Sequence, residues 1–206
     1  MTDSSRAARQ KPRRRPRQAR SWATSLAVQE AFVRVLLARG YDGVTIREVA
    51  AVAGVGIGTF YEYFPNKEAL AAVCLRMRMK AVVTELAALA GADGPVHGLV
   101  DALLDRMVER FAGRAAEWQA LLQLERRIST PEAYSRLYRL ATDMWAAALA
   151  RAALPAQAAW VVHTASYSVL TQRVMEDGPR TDAAALRRQL GVLVHAYLAE
   201  QGRGHG

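Results

Sequence analysis

Apolar residues recur at three- and four-residue spacing along nearly the whole chain, and strand-like alternation is almost absent, so the pattern predicts an all-α protein. Val28, Ala31, Phe32, Val35 and Leu36 share one stripe and predict a helix over 22–39 that Gly40 closes. Thr45, with Glu48 three residues on, reads as a capping box opening a second helix that ends at Ala53. Gly54-Val55-Gly56 turns the chain into a short helix over 57–63, stopped by Phe64-Pro65. Asn66 caps a long helix that continues to Ala90, where Gly91-Ala92-Asp93-Gly94-Pro95 breaks it.

Five further helices follow. They are predicted over 96–112, over 115–127, from Ser129-Thr130-Pro131-Glu132 to just before Leu154-Pro155, over 156–176, and from Thr181-Asp182 to about 200. No internal repeat is visible. The expected organisation is a disordered basic arm over 1–20, a three-helix domain over 21–65 and a helical domain over 66–206, with the helix over 66–90 connecting the last two.

The stretch from Ile46 to Tyr63 carries the most information. A helix-turn-helix needs two short helices crossing steeply around a tight turn, with small residues where the backbones meet. Val49 and Ala53 face inward, Ala50 is the small contact, and Gly54 stands where a positive φ is usual. Val55, Phe60 and Tyr63 return apolar surface to the same small core. A plain helical hairpin is the alternative this pattern leaves open.

Charge sharpens the picture. The formal net charge is +9, and residues 1–20 hold eight Lys/Arg against Asp3 alone. A basic tail on a nearly neutral body points to a polyanion, nucleic acid before a membrane surface. The lone Cys74 excludes a disulfide framework and a Cys-rich zinc site, and the four scattered histidines disfavour a metal pair. Residues 152–172 lack any charge but hold too many hydrogen-bonding groups for lipid, so a buried helix is expected there and no membrane span. Asp101, Asp105 and Glu109 form an acidic stripe, yet the Glu-x-x-His pairs of a di-iron bundle are missing and Arg106 and Arg110 flank it. A P-loop, a GxSxG elbow and a dinucleotide fingerprint are absent as well. No catalytic residue, metal or cofactor is expected.

Phe32, Gly40-Tyr41, Thr45 to Ala50, Ala53-Gly54-Val55 and the run Gly58-Thr59-Phe60-Tyr61-Glu62-Tyr63-Phe64-Pro65-Asn66-Lys67-Glu68-Ala69-Leu70 together resemble the TetR (tetracycline-repressor-like) family of bacterial regulators. The resemblance covers roughly residues 20–72; beyond it only the helical pattern agrees. It implies a homodimer, DNA binding by the N-terminal part, and release when a small molecule enters the C-terminal part. The expectation is a cytoplasmic, dimeric transcriptional regulator, most readily a repressor, acting on double-stranded DNA at a palindromic operator. An activator on the same fold, and a ligand-independent or architectural DNA binder, are the alternatives.

On that reading the helix over 57–63 lies in the major groove. Gly56, Ile57, Gly58, Thr59, Tyr61 and Glu62 point outward. Family members often carry Ser at position 56 and a polar or basic residue at 57, and this helix has no Arg, Lys, Asn or Gln for bidentate purine readout. Ile57 and Thr59 suit thymine methyls, and the two glycines let the backbone approach. Glu62 suits either cytosine N4 or the orientation of a nearby Arg. Thr45, Tyr61 and Lys67 match positions that clamp phosphates in the family, Arg47 reaches phosphate or base edge, and Tyr63 divides its ring and hydroxyl between core and phosphate. Arg13, Arg14, Arg15, Arg17 and Arg20 are expected to lie along the minor groove, the alternative being a solubilising tail.

The C-terminal part is less explicit. Met107, Phe111, Trp118, Leu121, Tyr134, Tyr138, Met144, Trp145, His163 and Tyr167 form an aromatic-rich set suited to a small apolar or aromatic effector, with His163 and Tyr167 as polar contacts. Plain core is the alternative for each. Ala158, Val161, Ala165, Ser168 and Gln172 make a stripe of mostly small residues, and Leu190, Leu193, Val194 and Tyr197 an uncharged one. Both are expected in a four-helix dimer interface, with burial inside one subunit as the alternative.

Overall fold

A computed structural model describes residues 16–152 and 154–203, and within them the chain forms nine α-helices and no strand. In order they are α1 (Pro16–Gly43), α2 (Ile46–Ala53), α3 (Ile57–Tyr63), α4 (Lys67–Ala90), α5 (Val96–Ala112), α6 (Ala115–Ile128), α7 (Pro131–Leu149), α8 (Ala156–Asp177) and α9 (Ala183–Arg203). Short 3-10 turns at Ala150–Ala152 and Gly178–Arg180 precede the last two.

The first three helices enclose a small core in which Val28, Phe32, Val49, Ala50, Phe60 and Phe64 are all buried. Two glycines shape this head. Gly40 kinks α1 at φ 66°, and Gly54 ends α2 at φ 69°, where its N–H reaches back to the carbonyls of Ala50 and Ala51. A side chain at either φ would be strained, so these turns depend on the residue type. Thr45 accepts from the Glu48 N–H at 3.2 Å, as a cap should. Only half of the expected capping box forms, because the Glu48 carboxylate turns to Arg39 Nε at 3.4 Å.

Several boundaries differ from those the pattern predicts, and α1 also runs past its kink at Gly40 to Gly43. α1 starts at Pro16 rather than at 22, so the expected arm loses its last turn to a helix; proline fits a helix's first turn because that N–H needs no partner. The seventh helix stops at Leu149, and a 3-10 turn covers the approach to Pro155. α9 continues to Arg203.

The larger body packs α4 through α9 around one core continuous with that of the head. Here the expected dimer stripes need correction. Ala158, Leu190 and Val194 are buried inside the protomer, with Leu186 and Leu198 continuing the inner face of α9. The outer face instead presents Trp160 at 50%, Val192 at 73% and Leu193 at 41% exposure, beside exposed Ser168 and Gln172 and half-buried Val161, Ala165 and Tyr197. Helical spacing alone cannot say which of two apolar stripes meets the protomer's own core. The acidic stripe of α5 is also paired differently: Asp101 and Asp105 bind Arg187 of α9 at 2.7 and 2.5 Å, and Asp101 also meets His195 at 2.9 Å. Arg106 pairs with Glu109 of the stripe at 3.1 Å, as expected, and together with Arg110 also reaches Glu85 of α4.

Candidate nucleic-acid interface and effector cavity

α3 turns its Phe60 into the head core and leaves Gly56, Ile57, Gly58, Tyr61 and Glu62 exposed, with Thr59 and Tyr63 half-buried. Ile57 and Tyr61 are 44% and 53% exposed, large apolar surfaces that the fold does not cover. A Cβ at Gly56 or Gly58 would meet nothing within 4 Å. Neither residue has a positive φ, so nothing inside the protein asks for glycine there. A glycine within a helix costs about 1 kcal/mol relative to alanine. At position 58 that cost has no internal return, which fits a backbone approached closely from outside.

Around α3 the polar groups are tied down unequally. Arg47 and Arg20 are exposed, and no ion pair holds Glu62 among the described residues. Thr45 is exposed beside its own cap. Lys67, expected as a phosphate clamp, is engaged within the protein. Its Nζ donates to the Tyr41 and Val44 carbonyls at 3.2 and 3.3 Å and stands 4.5 Å from the centre of the Tyr41 ring. It therefore fastens the first turn of α4 to the end of α1. Arg13, Arg14 and Arg15 lie outside the described residues, as does the side chain of Arg17.

Two further ties join head and body. Arg78 of α4 reaches Glu30 of α1 at 2.9 Å and Glu117 of α6 at 2.5 Å. Arg127, in the last turn of α6, donates to both carboxylate oxygens of Asp42 at 2.9 and 3.1 Å and covers the Tyr41 ring. α1 is thus held at its middle and near its C-terminal end by charged groups of the body.

In the body, α4, α5, α6, α7 and α8 surround a cavity of about 50 Å³. Met107 and Phe111 line it from α5, Tyr134, Tyr138, Met144 and Trp145 from α7, and His163 and Tyr167 from α8, each on the expected list. Trp118 and Leu121 do not reach it. Trp118 stacks behind Phe111 at 4.3 Å and donates its Nε1–H to the Arg110 carbonyl at 2.8 Å, and Leu121 is buried in the surrounding core. The sequence reading missed Met79, Val82, Val83 and Leu86 of α4, Glu125 of α6, and Leu137 and Ala141 of α7. For α4 the three- and four-residue spacing was visible but gave no neighbour. For Glu125 a signal existed: it is an acid at the seventh position after Trp118, on the apolar stripe of its helix.

Electrostatics in the cavity favour neutral forms. Burial lowers His163 to about 4, and burial raises the Glu125 carboxyl above the usual carboxylate range. Burial likewise lifts the Tyr167 hydroxyl well above its ordinary value. The His163 ring sits between Tyr138 at 4.5 Å and Tyr167 at 5.6 Å. The Tyr138 hydroxyl shares a hydrogen bond with Thr164 Oγ1. Among the described residues no cluster of His, Cys, Asp and Glu is placed to hold a metal ion, and no helix is long and apolar enough to cross a membrane.

Comparison with known proteins agrees with this architecture. Residues 30–74 match the model of the bacterial regulatory proteins of the tetR family. No curated protein sequence matches the chain. Among solved structures, a transcriptional regulator from Rhodococcus sp. RHA1 superposes with a TM-score of 0.71 at 19% identity, over 86% of this chain and 97% of that one. A TetR-family transcription regulator from Marinobacter aquaeolei VT8 gives a TM-score of 0.67 at 16% identity, over 87% and 97%. The regulator FadR from Bacillus subtilis, in complex with stearoyl-CoA, gives 0.65 at 17% identity, over 82% and 96%. At these identities the likeness is one of fold. Residues 30–74 carry the helix-turn-helix of the tetR family of bacterial regulatory proteins, and 87% of the chain shares the fold of a TetR-family transcription regulator.

Proposed function

We propose that the protein is a homodimeric repressor that binds a palindromic operator and is released when a small apolar or aromatic molecule enters the cavity. The observation that carries this reading is α4. Its first turn is fastened to the head by Lys67, and its later turns wall the cavity with Met79, Val82, Val83 and Leu86. One continuous helix thus joins the place a ligand would occupy to the place DNA would be read. A ligand that packs better against a shifted α4 moves the reading head with it.

On DNA, α3 enters the major groove with Ile57, Thr59 and Tyr61 foremost, and Gly56 and Gly58 allow the backbone to approach. Thr45, Arg47 and Tyr61 contact phosphates, Tyr63 supports them from the core, Lys67 holds α4 to the end of α1 behind them, and Glu62 meets cytosine or an adjacent Arg. The basic arm, including Arg13, Arg14, Arg15, Arg17 and Arg20, follows the minor groove. Trp160, Val161, Ala165, Ser168, Gln172, Val192 and Leu193 form the outer face of α8 and α9 through which two protomers pair. The FadR complex with stearoyl-CoA supports ligand response on this fold.

The test is a footprint of the full chain on the DNA upstream of its own gene, with light scattering of the complex. One protected palindrome, its half-sites about one or more helical turns of ~34–36 Å apart and two protomers bound, is the expected result. Uniform coverage without a preferred site, or a monomer on DNA, defeats the proposal.

A further inference from the structure

The cavity walls are almost wholly hydrocarbon and aromatic carbon, yet two of the residues that form them carry buried ring nitrogens that find no partner among the described residues. Trp145 is fully buried, and its Nε1–H, which can only donate, has no acceptor. His163 is 4% exposed, and its Nδ1 has no partner. One residue stands on α7 and the other on α8, and both line the same space. Buried polar groups left unpaired are rare because their desolvation is not repaid. Trp118 shows the usual outcome nearby, its own Nε1–H donating to a carbonyl.

The ionisable groups add a second constraint. Among the described residues no Lys or Arg lines the cavity, and its one acid, Glu125, forms no ion pair; the charge of Arg126 only partly opposes the effect of burial on it. Burial holds both Glu125 and His163 toward their uncharged forms. An anion placed inside would be desolvated without a counter-charge. Arg76, Lys80 and Arg136 do exist nearby, but they line an outer groove reached past Tyr134, Leu137 and Glu125. An anionic amphiphile using them would lay only hydrocarbon against Trp145 and leave both nitrogens unpaired.

We infer that the cavity takes an uncharged, mainly aromatic molecule bearing one ketone or hydroxyl oxygen that accepts the Trp145 Nε1–H bond and pairs with His163 Nδ1. A hydroxyl accepts from the indole and donates to the imidazole; a ketone accepts from the indole and from the Nδ1–H tautomer. The inference rests on reading this cavity as the effector site, and its test needs no DNA.

The full chain, labelled with nitrogen-15, is titrated with naphthalene, 2-acetonaphthone, 2-naphthol, 2-naphthoate, 2-(aminomethyl)naphthalene and stearoyl-CoA. The Trp145 indole resonance is identified by its loss in Trp145→Phe. The ketone or the alcohol should bind at least about tenfold more tightly than naphthalene and than each ionised compound, the size of one good hydrogen bond. It should also move the Trp145 indole proton downfield, which naphthalene does not. In Trp145→Phe the ketone should lose its advantage while the thermal melt stays cooperative; if that variant does not fold, His163→Leu must reduce the preference instead. Tighter binding by 2-naphthoate, the ammonium compound or stearoyl-CoA overturns the inference. So do equal affinities for ketone and naphthalene, a stationary indole resonance, or no binding by any compound. A ketone that binds as expected but leaves the protein on its operator would defeat the release mechanism alone.

Discussion

The head and the body bury their apolar residues in opposite ways. Around Phe60 the head closes a core of Val28, Phe32, Val49, Ala50 and Phe64 in which no polar side chain is stranded. In the body, Trp145, His163 and Glu125 stand in or beside a space that their neighbours do not fill. A closed core holds one shape against deformation, while an incompletely satisfied one leaves free energy for a bound molecule to release. On the proposed function, rigidity falls to the part that presents a fixed surface to DNA and adaptability to the part that responds to a ligand.

The largest effect should come from opening the head. Phe60→Ala removes its central side chain and should cost about 3–5 kcal/mol in urea denaturation, with duplex binding lost in a gel shift. Trp145→Phe in the body, which deletes an unpaired donor and little volume, should cost less than about 1.5 kcal/mol. Equal losses would erase the distinction between the two cores.

A somewhat smaller effect should appear with pH, and only in the body. The native state holds His163 near 4 against an ordinary 6.5, so between those values the unfolded chain binds a proton that the native one refuses. Stability should therefore fall as pH drops from about 6.5 to about 4, by up to about 3 kcal/mol. Glu125, raised by burial, acts in the opposite sense, its contribution being lost as pH rises above the ordinary carboxylate value. The difference between the wild-type curve and that of His163→Leu isolates the histidine, and parallel curves would refute its part.

The smallest effect distinguishes stability from function on α3. Gly58→Ala should raise the stability of the head by up to about 1 kcal/mol, since helix propensity improves and the new Cβ meets nothing. On the proposed docking the same change should weaken operator binding, because the methyl would stand where the DNA backbone or a base edge comes. A variant that is more stable and binds as well as the wild type would remove the reason offered for this glycine.

Legibility followed the range of the forces involved. The helix-turn-helix could be read because its signals are local: Thr45 caps within three residues, Gly54 needs its own φ, and Phe64-Pro65 stops a helix by itself. The aromatic lining from α5, α7 and α8 could be listed as large side chains on apolar faces. What escaped depended on neighbours distant in sequence. Lys67 matched a phosphate-clamping position and proves fastened to Tyr41 and Val44. Asp101 was assigned to its own helix face and pairs with Arg187 and His195.

By itself the chain determined its helices, its turn glycines and the head core, since backbone sterics, caps and periodicity act over a few residues. Only tertiary structure decided which stripe of α8 and α9 turned inward, which faces enclosed the cavity, and that Trp145 and His163 would be left there without partners. A periodic pattern specifies that a face must be buried but not against what, and that choice belongs to the packing of helices far apart in sequence.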